Sequence, residues 1–274
     1  MRPFPAVILL AFLFLASNTG NAQTDSIVLK DIVWDQQSPA GMTELFIPSD
    51  NALLPGFIYR ANGPQKHPTL LLLHGYPGNE RNLDLAQVVR AHGWNVIYFD
   101  YRGSWGSQGK FSFRHCVEDV VNVVTFCKKY RDSLRIDTSN IVLFGHSMGG
   151  WVCLKSLQRL PGVKKGFALS TWDIFKDHEG LDKSPAYFVL NTPVSQLLAD
   201  VNAKPNSIRL DRDGQALSGK QIVMLDEHSG NKALAETLRS ANKTWFDYSV
   251  WPTDHPFTNR RVALMKKVLE FLDR

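Results

Sequence analysis

Short apolar runs alternate with amphipathic stretches along most of the chain, which predicts strands separated by helices. The runs at residues 69–73 and 95–99 are apolar on both faces, as buried parallel strands require. The stretch 113–130 repeats apolar residues at helical spacing, and so does the C-terminal stretch. The C-terminal stripe consists of Val262, Met265, Leu269 and Leu272. This alternation predicts an α/β fold with a mainly parallel sheet.

The alternation is interrupted in two places. Near the start, residues 43–48 and 54–60 predict a β-hairpin with its turn at 49–51. From about residue 171 to 218, aromatic residues are mixed with charges and prolines, and the strict alternation is lost. We interpret this segment as a small inserted lid and expect its aromatic residues to form an apolar wall over a substrate. These residues are Trp172, Phe175 and Tyr187.

One stretch combines strand, sharp turn and helix around a serine. The apolar run 141–144 is followed by Gly145-His-Ser-Met-Gly149 and then by a helical stretch, 151–158. A Gly-x-Ser-x-Gly sequence in this context is typical of a nucleophile elbow, whereas the same five residues in an ordinary loop would mean little. The strained turn requires neighbours without side chains, which the two glycines supply. Ser147 is therefore the candidate nucleophile.

A serine nucleophile needs a base, and imidazole is the usual one. His255 lies in a loop between the last strand and the last helix, at the same sheet edge as Ser147. His146 is too close to the serine in sequence to approach its hydroxyl well, so we expect a packing role. His228 follows the preceding strand and is a weaker second candidate. We predict His255 as the general base.

The base needs a carboxylate to fix its tautomer and stabilise the imidazolium. Asp226 and Glu227 follow a strand that is predicted to end at Leu225, and Asp254 adjoins His255 in sequence. Side chains of adjacent residues generally diverge, which argues against Asp254. Position favours Asp226, which is also the stiffer side chain, whereas Glu227 is one residue farther beyond the strand. We predict Asp226 as the acid, with Glu227 as the alternative.

The tetrahedral intermediate needs two N–H donors for its oxyanion. The Met148 N–H is one candidate, because it begins the helix after the serine. The segment His74-Gly-Tyr-Pro-Gly78 follows a central strand and places the Tyr76 N–H as the second candidate.

These motifs together resemble the α/β-hydrolases over nearly all of the chain that follows the N-terminal segment. The resemblance is carried by His74-Gly75, Asp100-Tyr-Arg-Gly103, Gly145-His-Ser-Met-Gly149 and His255, with the order serine, acid, histidine. It implies an eight-stranded, mainly parallel sheet with helices on both faces. The loop from Asp100 to Ser107 looks most similar to the branch with prolyl-oligopeptidase-type and dienelactone-hydrolase-type enzymes. Members of the family commonly carry a Gly and a longer loop before the acid, and this chain does not.

Composition narrows the possible functions. The chain has 274 residues, 44% of them hydrophobic and 21% charged, which is enough for one large globular domain. Its net charge of +5 comes from dispersed lysines and arginines, so we expect no nucleic-acid partner. The three cysteines, Cys116, Cys127 and Cys153, are expected to be buried thiols. Cys116 and Cys127 would lie roughly 16 Å apart on one helix, beyond disulfide reach.

The N-terminus has the pattern of a targeting segment. Arg2 precedes an apolar stretch at residues 6–16, and Gly20-Asn-Ala22 offers small residues at a cleavage site. We expect residues 1–22 to be a signal peptide and residues 23–274 to be the hydrolase domain, exported and without stable membrane insertion. An uncleaved anchor is the alternative.

The sequence thus predicts a secreted serine hydrolase that cleaves an ester through an acyl-enzyme, with no metal or cofactor. Its substrate is expected to be a small-molecule acyl ester, with a short peptide as second choice. A non-catalytic binding protein on the same fold is the rival of another class.

Overall fold

The computed structural model describes residue 31 and residues 33–183, 188–212 and 214–274. The predicted signal peptide, residues 1–22, and Tyr187 lie outside the described residues. Within the described ranges, none of the helices has both the length and the apolar character needed to cross a bilayer.

The strands and helices follow one another in the predicted order. The strands are β1 Gly41–Ser49, β2 Ala52–Arg60, β3 His67–Leu73, β4 Asn95–Phe99, β5 Ile136–His146, β6 Lys165–Leu169, β7 Gln221–Asp226 and β8 Trp245–Val250. The α-helices are α1 Leu83–Ala91, α2 Phe113–Lys129, α3 Met148–Arg159, α4 Ile174–Asp177, α5 Val194–Ala203, α6 Pro205–Ile208, α7 Lys232–Asn242 and α8 Arg261–Leu272. Short 3₁₀ helices span His178–Lys183, Gly214–Leu217, Ser229–Asn231 and Thr258–Arg260.

The eight strands form one sheet in the order β1-β2-β4-β3-β5-β6-β7-β8. The hairpin β1–β2 pairs antiparallel with β4, and the strands from β3 to β8 are mutually parallel. The predicted α/β fold with an eight-stranded, mainly parallel sheet is therefore confirmed. Ligands of such sheets bind outside the carboxyl ends of the strands, where the loops after β3, β5, β6, β7 and β8 meet.

Helices cover both faces of the sheet, as predicted. One apolar core lies between the sheet and helices α2, α3 and α7, and includes Val120, Val152 and Leu238. The other core lies against α1 and α8, and includes Val89 and Leu269. Both faces of the central strands β3, β4, β6 and β7 are buried in these cores, which explains why these strands are apolar on both sides.

Two local predictions need correction. The nucleophile strand is longer than its apolar run suggested, because β5 begins at Ile136, where it pairs with His67 of β3. Val262 is exposed, whereas Leu264, Val268 and Phe271 of the same helix are buried. Met265, Leu269 and Leu272 of the predicted stripe are buried with them, so the buried face of α8 includes three of the four predicted residues and excludes Val262. All three cysteines are free and buried, as expected.

Candidate active site

The serine turn has the strained geometry that the sequence predicts. Ser147 adopts φ 60° and ψ −120° between β5 and α3, in the left-handed region that non-glycine residues rarely occupy. A Cβ on Gly145 would collide with the Gly149 carbonyl group, and a Cβ on Gly149 would collide with the Leu73 carbonyl oxygen. Both glycines are therefore required for this turn to pack against β3.

The loop after β3 lies directly beside the serine. A Cβ on Gly75 would stand 3.1 Å from the Ser147 Cβ, so the backbone of this loop passes close to the nucleophile. Tyr76 follows Gly75 in this loop. Met148 is the first residue of α3, where backbone N–H groups have no acceptor within the helix. The fold thus brings both predicted oxyanion residues to the turn that carries Ser147.

Residues 100–109 contact the loop after β3 and hold it by a hydrogen bond. The Trp105 indole N–H donates to the Pro77 carbonyl oxygen at 2.6 Å. Arg102 anchors this supporting segment, since its Nε donates to the fully buried Asp119 carboxylate of α2 at 2.5 Å. A long polar loop is held in place here by an ion pair that the sequence does not reveal.

His255 is paired with Glu227. Its Nδ1 donates to Glu227 Oε1 at 2.7 Å, which leaves Nε2 as the ring nitrogen available for a nucleophile.

His146 packs against His255. The His255 main-chain carbonyl oxygen accepts a hydrogen bond from His146 Nε2 at 3.0 Å, and the ring centroids lie 4.7 Å apart. His146 has the packing role expected for it. Burial and the nearby His255 lower the pKa of His146 to about 4, so it packs as a neutral ring.

Glu227 also accepts a hydrogen bond from a serine that the sequence analysis did not consider. The Ser170 hydroxyl donates to Glu227 Oε2 at 2.6 Å, so the two carboxylate oxygens have different partners. Burial opposes ionisation, but the hydrogen bonds from His255 and Ser170 outweigh it and hold the pKa of Glu227 at about 2. Glu227 is therefore a carboxylate throughout the pH range in which an imidazole titrates.

The prediction that Asp226 faces the histidine is wrong. Asp226 is the last residue of β7, paired with Val250, and its carboxylate accepts from the Thr171 N–H at 3.1 Å and the Asn231 amide at 3.2 Å. The strand extends one residue beyond its predicted end at Leu225, and one residue reverses the direction of a strand side chain. Glu227, the alternative, occupies the position against His255.

The other histidines of this region have different surroundings. His228 is exposed, and its Nε2 stands 3.9 Å from Glu227 Oε1. His74 is buried after β3 and donates through Nδ1 to the Gly75 carbonyl oxygen at 2.8 Å. Burial lowers the pKa of His74 to about 4, so it is a neutral, structural residue of the loop beside Ser147.

Ser147, Glu227 and His255 line one open cavity of about 220 Å³. Trp172 also lines it, as do Lys176 and Asp177 of α4. The prediction of an apolar wall is therefore only partly confirmed. Trp172 is at the cavity, whereas Phe175 packs beneath the Arg209 guanidinium at 4.6 Å and against the core. Tyr187, as stated above, lies outside the described residues.

Ser170 is the site residue that sequence reasoning missed. It follows the buried strand β6 directly, at the sheet edge where ligands bind. A polar residue at the carboxyl end of a central parallel strand is a signal for a site residue, and Ser170 has this position after β6 just as Ser147 has it after β5.

The fold and the site together define a serine hydrolase of the α/β-hydrolase class, with lipase- and esterase-like relatives. The family model described as "Serine aminopeptidase, S33" matches residues 64–247, which is more than half of the chain. The chain therefore belongs to this family. The superfamily resemblance is confirmed, although these matches do not specifically support the prolyl-oligopeptidase-like branch.

Similar proteins include lipases and esterases. The chain is 30% identical over 105 residues to Lysophosphatidylserine lipase ABHD12 of Danio rerio, covering 37% of this chain and 26% of that protein. It thus spans about a quarter of the length of this relative. An esterase from Pyrococcus furiosus superposes with a TM-score of 0.64 at 19% identity, covering 89% of this chain and 98% of that one. Est1E from Butyrivibrio proteoclasticus superposes with a TM-score of 0.65 at 15% identity, covering 84% of this chain and 97% of that one. At these identities the structures support the fold alone.

Proposed function

We propose that this protein hydrolyses carboxylic esters through an acyl-enzyme formed on Ser147, with His255 as general base and Glu227 as the acid. The observation that carries the proposal is one shared cavity. It is lined by the strained Ser147 and by His255, whose Nδ1 donates to the ionised Glu227 carboxylate. A binding protein on this fold has no need for the strained serine and the His255–Glu227 pair in one cavity.

The reaction follows from the position of each group. His255 Nε2 takes the Ser147 proton as Oγ attacks the ester carbonyl carbon, and Glu227 stabilises the imidazolium that forms. The N–H groups of Met148 and Tyr76 stabilise the oxyanion. Collapse of the tetrahedral intermediate expels the alcohol, which receives the proton from His255. A water molecule, deprotonated by the same imidazole, then releases the carboxylic acid and restores Ser147.

The relatives favour an acyl ester as substrate. Lysophosphatidylserine lipase is named for a lipid ester, and solved structures of esterases share the fold. A small-molecule acyl ester with a polar alcohol portion suits the cavity, since Trp172 offers one apolar wall beside charged Lys176 and Asp177. The substrate is proposed for the catalytic domain that this chain shares with such proteins.

A peptidase is the second candidate. The family description includes aminopeptidases, and the Asp177 carboxylate in the cavity is a possible partner for the amino terminus of a short peptide. An amide substrate would use the same serine, imidazole and oxyanion donors, so only the substrate preference separates the two candidates.

Export is part of the proposal. A positively charged residue, an apolar stretch and small residues near Ala22 support a signal peptide at residues 1–22. Expression of the full chain in a bacterial host, followed by N-terminal sequencing of the periplasmic fraction, should give Gln23 as the first residue. Recovery of the intact N-terminus in the membrane fraction would support the uncleaved anchor.

The hydrolase proposal is tested by covalent labelling and by a substrate panel. The purified protein should react with a fluorophosphonate probe and hydrolyse p-nitrophenyl esters faster than aminoacyl p-nitroanilides. Ser147→Ala should remove labelling and lower hydrolysis by at least ~10³-fold while retaining the circular dichroism spectrum. Unchanged turnover in this variant would exclude the mechanism, and faster cleavage of the anilides would favour the peptidase. A parent protein that does neither would support the binding-protein alternative.

A further inference from the structure

Residues 169–172, which are the last residue of β6 and the three residues after it, connect the nucleophile turn to the acid. The Ser147 N–H donates to the Leu169 carbonyl oxygen at 2.8 Å, and the Trp172 N–H donates to the Ser147 carbonyl oxygen at 3.1 Å. From the same segment, the Ser170 N–H donates to the Leu225 carbonyl oxygen of β7 at 2.8 Å. Three main-chain bonds therefore fix this segment against both the serine turn and the strand that precedes Glu227.

Within this segment, Ser170 is the residue whose side chain reaches the acid. It is 5% exposed, and its hydroxyl stands 2.6 Å from Glu227 Oε2. Its φ of 45° lies in the left-handed region, which is an uncommon conformation for serine and aims the side chain at the loop after β7. An O–H donor to a carboxylate at this distance makes a strong, charge-assisted hydrogen bond.

A glutamate needs such a restraint more than an aspartate does. It has one more rotatable bond, so holding it in one orientation costs more conformational entropy. In this site only Oε1 contacts His255, at 2.7 Å, and rotation of the carboxylate would disturb that bond. A second donor on Oε2 restricts the rotation without competing for the oxygen that the imidazole uses.

We propose that Ser170 is a positioning residue that orients the Glu227 carboxylate toward His255 and so keeps the imidazole ready to deprotonate Ser147. This inference rests on the proposed function. Ser170 also lines the cavity, so a direct contact between its hydroxyl and the substrate is the competing explanation. The two explanations differ in whether the effect of Ser170 depends on Glu227.

The test uses two substitutions at Ser170. Ser170→Ala removes the hydroxyl and keeps a Cβ, whereas Ser170→Gly removes the hydroxyl and favours the positive φ. Both should lower kcat/KM for a small acetate ester by about 10- to 100-fold, mainly through kcat, because a hydrogen bond to a charged group is lost. Full activity in Ser170→Gly would show that only the backbone conformation matters and would overturn the proposal. Ser170→Gly also serves if Ser170→Ala fails to fold.

A double-mutant cycle with Glu227→Ala separates positioning from substrate contact. If Ser170 acts through Glu227, adding Ser170→Gly to Glu227→Ala should change kcat/KM by less than about 3-fold, because the effects of coupled residues do not add. A second 10- to 100-fold loss would mean that the hydroxyl acts independently, and the positioning role would be wrong.

A measurement without turnover distinguishes this proposal from the proposed function. In an NMR titration of side-chain carboxyl carbons, Ser170→Gly should raise the pKa of Glu227 from about 2 toward its usual range. An unchanged Glu227 titration would overturn the Ser170 contact even in an active enzyme. A parent protein that neither hydrolyses esters nor labels would instead end the proposed function, whatever the titration shows.

Discussion

At the scale of single residues, two adjacent carboxylates have opposite electrostatic surroundings. Burial raises the pKa of Asp226 to about 6, although hydrogen bonds from Asn231 and Thr171 oppose the rise. Glu227 is less enclosed, and the donors His255 and Ser170 hold its pKa at about 2 despite partial burial. The group that stays ionised beside the imidazole is suited to stabilise an imidazolium. Asp226 instead connects the end of β7 to Thr171 and Asn231.

We predict that Glu227→Gln and Asp226→Asn have different consequences. Glu227→Gln should lower kcat/KM near neutral pH by up to ~10⁴-fold, because an amide does not support the required imidazole tautomer and charge. Asp226→Asn should keep kcat within a few-fold of the parent, because the Asp226 carboxylate contacts Thr171 and Asn231 rather than His255. Steady-state kinetics and urea unfolding of both variants check this. A crippled but stable Asp226→Asn would return the acid's role to Asp226.

At the scale of elements, the contact between α3 and β3 depends on the absence of side chains. Gly149 lies in the first turn of α3 with no room for a Cβ against the end of β3. The close approach brings the N-terminus of α3 and the loop after β3 together at Ser147. The proposed oxyanion site thus depends on helix–strand packing and on the strained turn together.

Gly149→Ala is predicted to lower the free energy of unfolding by about 1–3 kcal/mol or more, because the new methyl group collides with rigid backbone. Gly162→Ala is the matched control, since a Cβ at Gly162 meets nothing within 4 Å. It should change stability by no more than about 0.5 kcal/mol. Urea unfolding compares the two variants with the parent. Equal stabilities of all three proteins would contradict the close approach of α3 to β3.

At the scale of the whole molecule, the site contributes to the pH dependence of folding. The pKa of Glu227 falls from 4.5 to about 2 on folding, so its contribution to stability is complete above about pH 4.5. That contribution is lost as the pH falls through 4.5 toward 2. Asp226 has the opposite sign, because its pKa rises from 3.8 to about 6 and ionisation destabilises the folded protein as the pH increases through this window.

The difference in unfolding free energy between the parent and Glu227→Gln should therefore decrease as the pH is lowered from about 5 to 3. The lowered pKa of Glu227 limits the total change to about 3 kcal/mol. Titrating groups that do not interact with Glu227 cancel in this difference, which urea unfolding of both proteins at several pH values measures. A difference that is constant from pH 7 to 3 would show that the Glu227 carboxylate gains nothing from its partners on folding.

The sequence by itself determined the architecture and two residues of the candidate site. Strand and helix order could be predicted because apolar periodicity is a local property, and the parallel sheet follows from the alternation. The position of Ser147 could be predicted because its turn needs glycines at fixed offsets, which are visible in one line of sequence. His255 was identified by its place after the last strand, which depends only on topology.

Only the tertiary structure decided which groups face one another. The choice between Asp226 and Glu227 depended on whether β7 ends one residue earlier or later, and pairing with β8 extends the strand to Asp226. The surroundings of Phe175 were predicted wrongly because its partner Arg209 is distant in sequence. Ser170 was missed for the same reason, since its partner is Glu227. Periodicity predicts which face of an element is apolar, but register and loop packing set the direction of each polar side chain.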